Sequence, residues 1–131
     1  MNEHLIVLTR GSELLHWLLP KAERFPRIYR STLTQRLMDA ALDFVEQVTD
    51  ALFHSGSTRD RHLRQADAAL LRLRLYLRPA YRWHWLNDGQ YQHVSRQVRE
   101  LGRLLGGLRK AQRAATHQKE GRLGAIAQEA P

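Results

Sequence analysis

The chain has 131 residues, enough for one hydrophobic core and too few for two, and its 43% apolar content excludes the disordered class. With no cysteine, it has no route to disulfides, thiolate metal sites or a cysteine nucleophile. The formal charge of +8 favours an anionic partner and is uneven: residues 1–58 carry six Arg/Lys against seven Asp/Glu, residues 59–113 thirteen against four, and residues 114–131 two of each.

The apolar run Leu5 to Leu8 is too brief and too weakly flanked for a secretory signal, and no stretch approaches the length of a membrane span. A soluble, cytoplasmic protein is expected. A first helix is predicted from Ser12, read as its N-cap with Glu13 in the first turn, through Leu14, Leu15, Trp17, Leu18 and Leu19. Pro20 should kink or interrupt it, and residues 3–10 fit either an extra turn or an extended segment.

A long second helix is predicted to start at Pro26, a favoured residue for a first turn. Tyr29, Leu33, Leu37, Ala41, Phe44, Val48 and Leu52 recur at three and four residues, and Met38, Leu42 and Val45 widen the stripe. So broad a face suits a helix central in a bundle or one shared with another subunit. Residues 54–58 read as a turn, with Ser57 or Thr58 capping the third helix. Its inward stripe is Leu63, Ala66, Leu70, Leu73, Leu77 and Ala80. Residues 71–77 alternate as a strand would, but the helical spacing continues on both sides and Ala, Leu and Arg favour helix, so helix is predicted there.

Residues 83–89 form the next connection, and Asn87 with Gln90 has capping-box spacing. The fourth helix then turns Tyr91, Val94, Val98, Leu101, Leu105 and Leu108 inward. Gly102, Gly106 and Gly107 imply either close backbone approach of a neighbour or a C-cap at 106–107. The stripes are satisfied by an all-α, up-and-down four-helix bundle over residues 1–113. Residues 114–131 lack a period and are predicted to be a disordered tail.

No nucleotide-binding glycine motif, HExxH or Glu-x-x-His pair is present, so no cofactor or metal is expected. Arg78 to His84 has the spacing used by helical ribonucleases of the HEPN type, with His84 as base. Arg10 to His16 has it too, as chance allows in a chain rich in arginine, and Pro79 disturbs the helix that would orient the first pair. Trp17 reads as core. Trp83 and Trp85 read either as plugs at the bundle end or as exposed anchors for a partner subunit or nucleic-acid bases.

Arginine provides eighteen of the twenty-one positive side chains, a fork suited to phosphate. Off the core stripe lie Arg61, Arg64, Arg72, Arg74, Arg78 and Arg82 on the third helix. Arg96, Arg99, Arg103, Arg109, Lys110 and Arg113 do the same on the fourth. Adjacent helices so decorated predict a broad positive surface that contacts phosphates without reading bases.

Trp17-Leu-Leu-Pro-Lys21, the string from Arg24-Phe-Pro-Arg27 through Arg30 to Thr-Leu-Thr-Gln-Arg36, Gln90-Tyr91, and Glu100 through Lys110 together resemble the accessory variability proteins of diversity-generating retroelements. The same superfamily holds four-helix proteins encoded in intervening sequences of ribosomal RNA genes. The resemblance covers roughly residues 12 to 110 and departs from the family pattern at Thr34, usually Gly, and Leu108, usually Trp. It implies a ring-like homo-oligomer, a pentamer, whose protomers bind the retroelement's reverse transcriptase and template RNA, with DNA as a further candidate, and perform no chemistry. Arg24, Arg27, Arg30, Arg36, Trp83 and Trp85 are then the candidate interface residues. The rival readings are a stand-alone nucleic-acid-binding bundle and the HEPN-like ribonuclease.

Overall fold

Each apolar stripe ends up against two others. In the computed structural model, which describes residues 2–129, the helices are α1 Glu3–Ala22, α2 Leu33–Leu52, α3 Gly56–Arg82 and α4 Asp88–Glu129, with a 3-10 turn at Arg27–Tyr29. No strand occurs among the described residues. The helices pack in sequence order, and α1 closes the square against α4. Cross-helix pairs fix the directions: Asp43 meets Arg72 and Gln47 meets His62, so α2 and α3 run antiparallel. Tyr81 stacks on Tyr91 at 4.2 Å while Arg109 reaches Asp67, so α3 and α4 do likewise. The result is an up-and-down four-helix bundle.

The interior is Leu14, Leu18, Leu37, Phe44, Val48, Leu63, Leu70, Leu73, Leu101 and Leu105, all essentially inaccessible to solvent. Every residue of the predicted α3 stripe is buried, and residues 71–77 are helical despite their alternation. The α4 stripe is buried from Val94 to Leu108, with Tyr91 half-buried. The breadth of the α2 face is consumed by its two neighbours, which leaves Leu42 37% exposed. Close approach between α1 and α2 depends on Gly11, where a Cβ would lie 3.1 Å from the Phe44 ring.

Several boundaries differ from expectation. Helix α1 begins at Glu3, nine residues before Ser12, because Asn2 supplies the cap: its Oδ1 accepts the His4 N–H at 2.9 Å. Pro20 lies in the last turn and the helix runs on through it to Ala22. Pro26 opens only the short turn at Arg27–Tyr29, and α2 starts at Leu33. Thr32 breaks the run at φ −121°, ψ −102°, with its hydroxyl donating to the Tyr29 carbonyl. Helix α3 starts at Gly56, whose φ of +60° suits glycine, with Ser55 rather than Ser57 or Thr58 as the flanking residue. The Asn87–Gln90 capping box forms reciprocally at 2.9 and 2.8 Å. Gly106 and Gly107 are internal to α4 and do not end it.

Helix α4 also continues through residues 114–129, where the sequence predicts disorder; residues 130 and 131 of that tail lie outside the described residues. Ala, Gln, Lys and Glu extend a helix already nucleated by the bundle. From His117 to Ala125 every side chain is exposed, so backbone hydrogen bonds alone maintain this arm. Such a segment frays readily, and its amides are expected to exchange with deuterium long before those of Val98 to Leu108. Comparable protection in both regions of the isolated protein would contradict that.

Thr34, one of the two departures from the family pattern, is 4% exposed and its hydroxyl has no hydrogen-bond partner. Leu108, the other, is 3% exposed and part of the core. An unpaired buried hydroxyl costs about 1–3 kcal/mol. Thr34→Val keeps the shape and removes the hydroxyl, so it should raise stability by about 1 kcal/mol in urea unfolding; an unchanged or lowered midpoint counts against this account.

Candidate nucleic-acid interface

Antiparallel pairing lays the arginines of α3 beside those of α4, but not all of them meet. Arg74, Arg78 and Arg99 line one groove between the two helices, a cavity of about 240 Å³ floored by Leu77, Tyr91 and Val98. Arg74 extends along it into an adjoining hollow with Leu70, Leu71 and Asp67. Gly102 makes this possible, since a Cβ there would sit 2.8 Å from the Arg74 guanidinium. The neighbour is a side chain and not the close backbone approach expected, and a Cβ at Gly106 or Gly107 would meet nothing.

Four predicted residues are engaged in ion pairs. Arg64 reaches Asp60 at 3.3 Å and Arg103 reaches Glu100 at 3.6 Å within their own helices. Arg72 crosses to Asp43 of α2 at 3.5 Å. Arg109 crosses to Asp67 at 2.9 Å and is the least exposed of the set. In the first three pairs the arginine is well exposed and exchanges readily with solvent or another anion. Arg109 instead ties α4 to α3.

Arg96 points elsewhere. It lines a cleft of about 430 Å³ between α1 and α4, where Arg10, His93 and Gln97 join it and Glu13 and Glu100 offset its charge. The single surface expected from the sequence is therefore divided, because Arg96 and Arg99 flank α4 on different sides. Arg61, Arg82, Lys110 and Arg113 are exposed towards the ends of α3 and α4.

The turn joining α3 to α4 builds a second feature. His84 adopts φ +64°; its N–H bonds to the Tyr81 carbonyl at 3.0 Å, and the Trp85 N–H bonds to the Ala80 carbonyl at 2.8 Å. This is a Schellman ending with histidine where glycine is usual. It folds Trp85 back against Phe25 at 5.2 Å and Tyr29 at 5.0 Å, and Trp83 stacks on Tyr29 at 5.9 Å and 24°. Trp85 is half-buried, as a plug would be, and Trp83 is 49% exposed. Trp17 packs at the core margin, 4.9 Å from His93, with the Lys21 ammonium 4.1 Å above its ring. Beside the turn, Tyr81 donates to Asp88 at 2.8 Å, which raises the tyrosine pKa above its usual value.

Two pockets adjoin this cluster. Lys21, Arg24, Gln90 and Trp85 line one. Tyr29, Arg36, Tyr76, Pro79 and Trp83 line the other, which is mostly apolar. Arg27 and Arg30 are exposed on the adjacent turn. Sequence reasoning missed Tyr76 and Lys21 and placed Tyr29 on an inward helical face; the density of aromatics at 25–29 and 76–85 was the available signal.

The two residues of the ribonuclease-like pair Arg78 and His84 sit on different features, Arg78 on helix α3 and His84 in the left-handed turn that follows it. Arg78 lines the α3–α4 groove, whose lining does not include His84, and Arg10 pairs with Glu13 at 3.3 Å. No group of three or more His, Asp or Glu is placed to hold a metal, and no helix is long and apolar enough to cross a membrane, among the described residues.

In comparison with known families, the family described as bAvd-like matches residues 5–112. No curated protein matches the chain. The division of the arginines has a direct consequence for stability. Arg109→Ala should cost about 1–2 kcal/mol by leaving Asp67 unpaired and a side chain unpacked, whereas Arg99→Ala should change stability by less than about 0.5 kcal/mol. Equal losses in thermal unfolding would refute the separation.

Proposed function

The chain belongs to the bAvd-like family, the accessory variability determinants of diversity-generating retroelements, and on that premise we propose that it is a non-catalytic, cytoplasmic accessory protein that binds the retroelement's reverse transcriptase and template RNA and supports mutagenic copying. The family match over residues 5–112 carries this reading. The groove of Arg74, Arg78 and Arg99 supports its nucleic-acid part: three guanidinium groups over an apolar floor suit a phosphate backbone, with RNA as the main partner and DNA as a second. The protein works as a ring-like homo-oligomer, a pentamer. Leu71 and Leu75, 57% and 60% exposed four residues apart on α3, are apolar surface available for that assembly.

Co-purification with the polymerase, with and without nuclease, separates direct contact from RNA bridging. Charge reversal at Arg74, Arg78 and Arg99 should abolish RNA binding and templated cDNA synthesis in folded protein. If six or more phosphates are engaged, affinity should fall roughly a thousandfold between about 50 and 200 mM salt. Sedimentation equilibrium should give about five times the 15.3 kDa of one chain. Template-specific synthesis that proceeds normally without this protein defeats the accessory role, and RNA binding with no polymerase contact leaves a stand-alone binding bundle. A monomer at micromolar concentration defeats the ring.

A further inference from the structure

The aromatic end of the bundle is not explained by packing alone. Trp85 already plugs the gap beside Phe25, yet Trp83 continues the row of rings outward and remains half exposed. Core closure does not need that second indole. Around it cations predominate: residues 24–38 hold Arg24, Arg27, Arg30 and Arg36, neither flanking pocket has an acidic side chain in its lining, and the nearby carboxylate of Asp88 is engaged by the Tyr81 hydroxyl. The α1–α4 cleft differs, because there Glu13 and Glu100 offset the arginines.

We infer that Trp83 and Tyr29, with Arg36 and Tyr76 beside them, form a stacking site for an unpaired base of single-stranded RNA, separate from the phosphate-binding groove of α3 and α4. A base has a π-face that stacks on an exposed indole irrespective of sequence, and the adjoining backbone needs cations without competing carboxylates. The pocket lined by Tyr29, Tyr76 and Trp83 supplies the ring surface. A second pocket of the same cluster, with Lys21 and Arg24 beside Trp85, offers cations for the backbone of such a strand. A duplex keeps its bases stacked internally and gains nothing from the indole. The site therefore distinguishes unpaired from paired RNA, which a phosphate-binding groove does not. It deepens the proposed RNA-binding role and rests on that reading for its biological partner, though the stacking can be measured without the polymerase.

The test uses the full chain with a fluorescently labelled oligouridylate of about twelve nucleotides and an RNA duplex of matching length. Measurement at about 200 mM salt reduces the contribution of phosphate contacts. Trp83→Ala should weaken oligouridylate binding about tenfold or more, Trp83→Phe should restore most of it, and duplex binding should change less than twofold. Tyr29→Ala should act in the same direction as Trp83→Ala. Unfolding curves of each variant identify a folding defect, and Trp83→Phe retains a ring where Trp83→Ala does not. Equal losses for single strand and duplex, or unchanged single-strand binding in folded Trp83→Ala, overturn the site. Loss of nuclease-resistant polymerase association in Trp83→Ala with unchanged oligouridylate binding assigns this face to protein and also overturns it. A protein that stacks oligouridylate through Trp83 but never associates with the polymerase keeps the site and loses the accessory role.

Discussion

The left-handed backbone at His84 is the constraint on which the distal end of the bundle depends. A non-glycine residue in that region costs about 1–2 kcal/mol, offset here by the hydrogen bonds that the following turn makes to Tyr81 and Ala80. Because the chain reverses within four residues of the end of α3, Trp85 and Leu86 fall back over the core, and the Asn87–Gln90 box starts α4 at once. Phe25 and Tyr29 reach the same place from the α1–α2 connection. One turn thus joins the two connections at that end and decides which aromatic is covered and which is left out.

Charge follows a different logic from packing. The core tolerates no unpaired cation, so the arginines occupy whatever positions the four stripes leave free, and their neighbours are then set by helix rotation. Asp67 and Gly102 illustrate how finely this works. The carboxylate pulls Arg109 down between α3 and α4, while the missing side chain at 102 lets Arg74 lie across the helix surface. Moving the aspartate by four residues would keep the composition and change the groove, and an alanine at 102 would push the Arg74 guanidinium aside.

Legibility in the sequence tracks the physics of each feature. The α3 and α4 stripes and the capping box were readable because periodicity and side-chain caps are local properties. The start of α1 was not, since Asn2 and Ser12 are equivalent as caps until Val7 and Gly11 are seen to pack inward. The break before Leu33 was hidden by an unbroken apolar spacing from Tyr29, which continues through a turn that happens to preserve direction. For the interface, the residue types were legible and their grouping was not. Whether Arg96 joins Arg99 or Arg10 depends on which side of α4 faces α1, a tertiary fact. The wide α2 face was compatible with an internal or an external partner, and both α1 and α3 occupy it.

Helix α4 outlasts the bundle it belongs to. Leu108 is the last buried residue of α4 among those whose burial is described, and the helix axis continues for about 30 Å beyond it to Glu129 at 1.5 Å per residue. The Gln112 amide, bonded to the Gly56 carbonyl at 3.1 Å, is the last tie to another helix among the described residues. Mechanically, the protein is a packed body carrying a solvent-exposed helical arm that is joined to it near Gln112. A chromophore placed near residue 122 would report the direction of that arm without touching the core, and the sequence beyond the junction can diverge or be exchanged while the four-helix body keeps its shape.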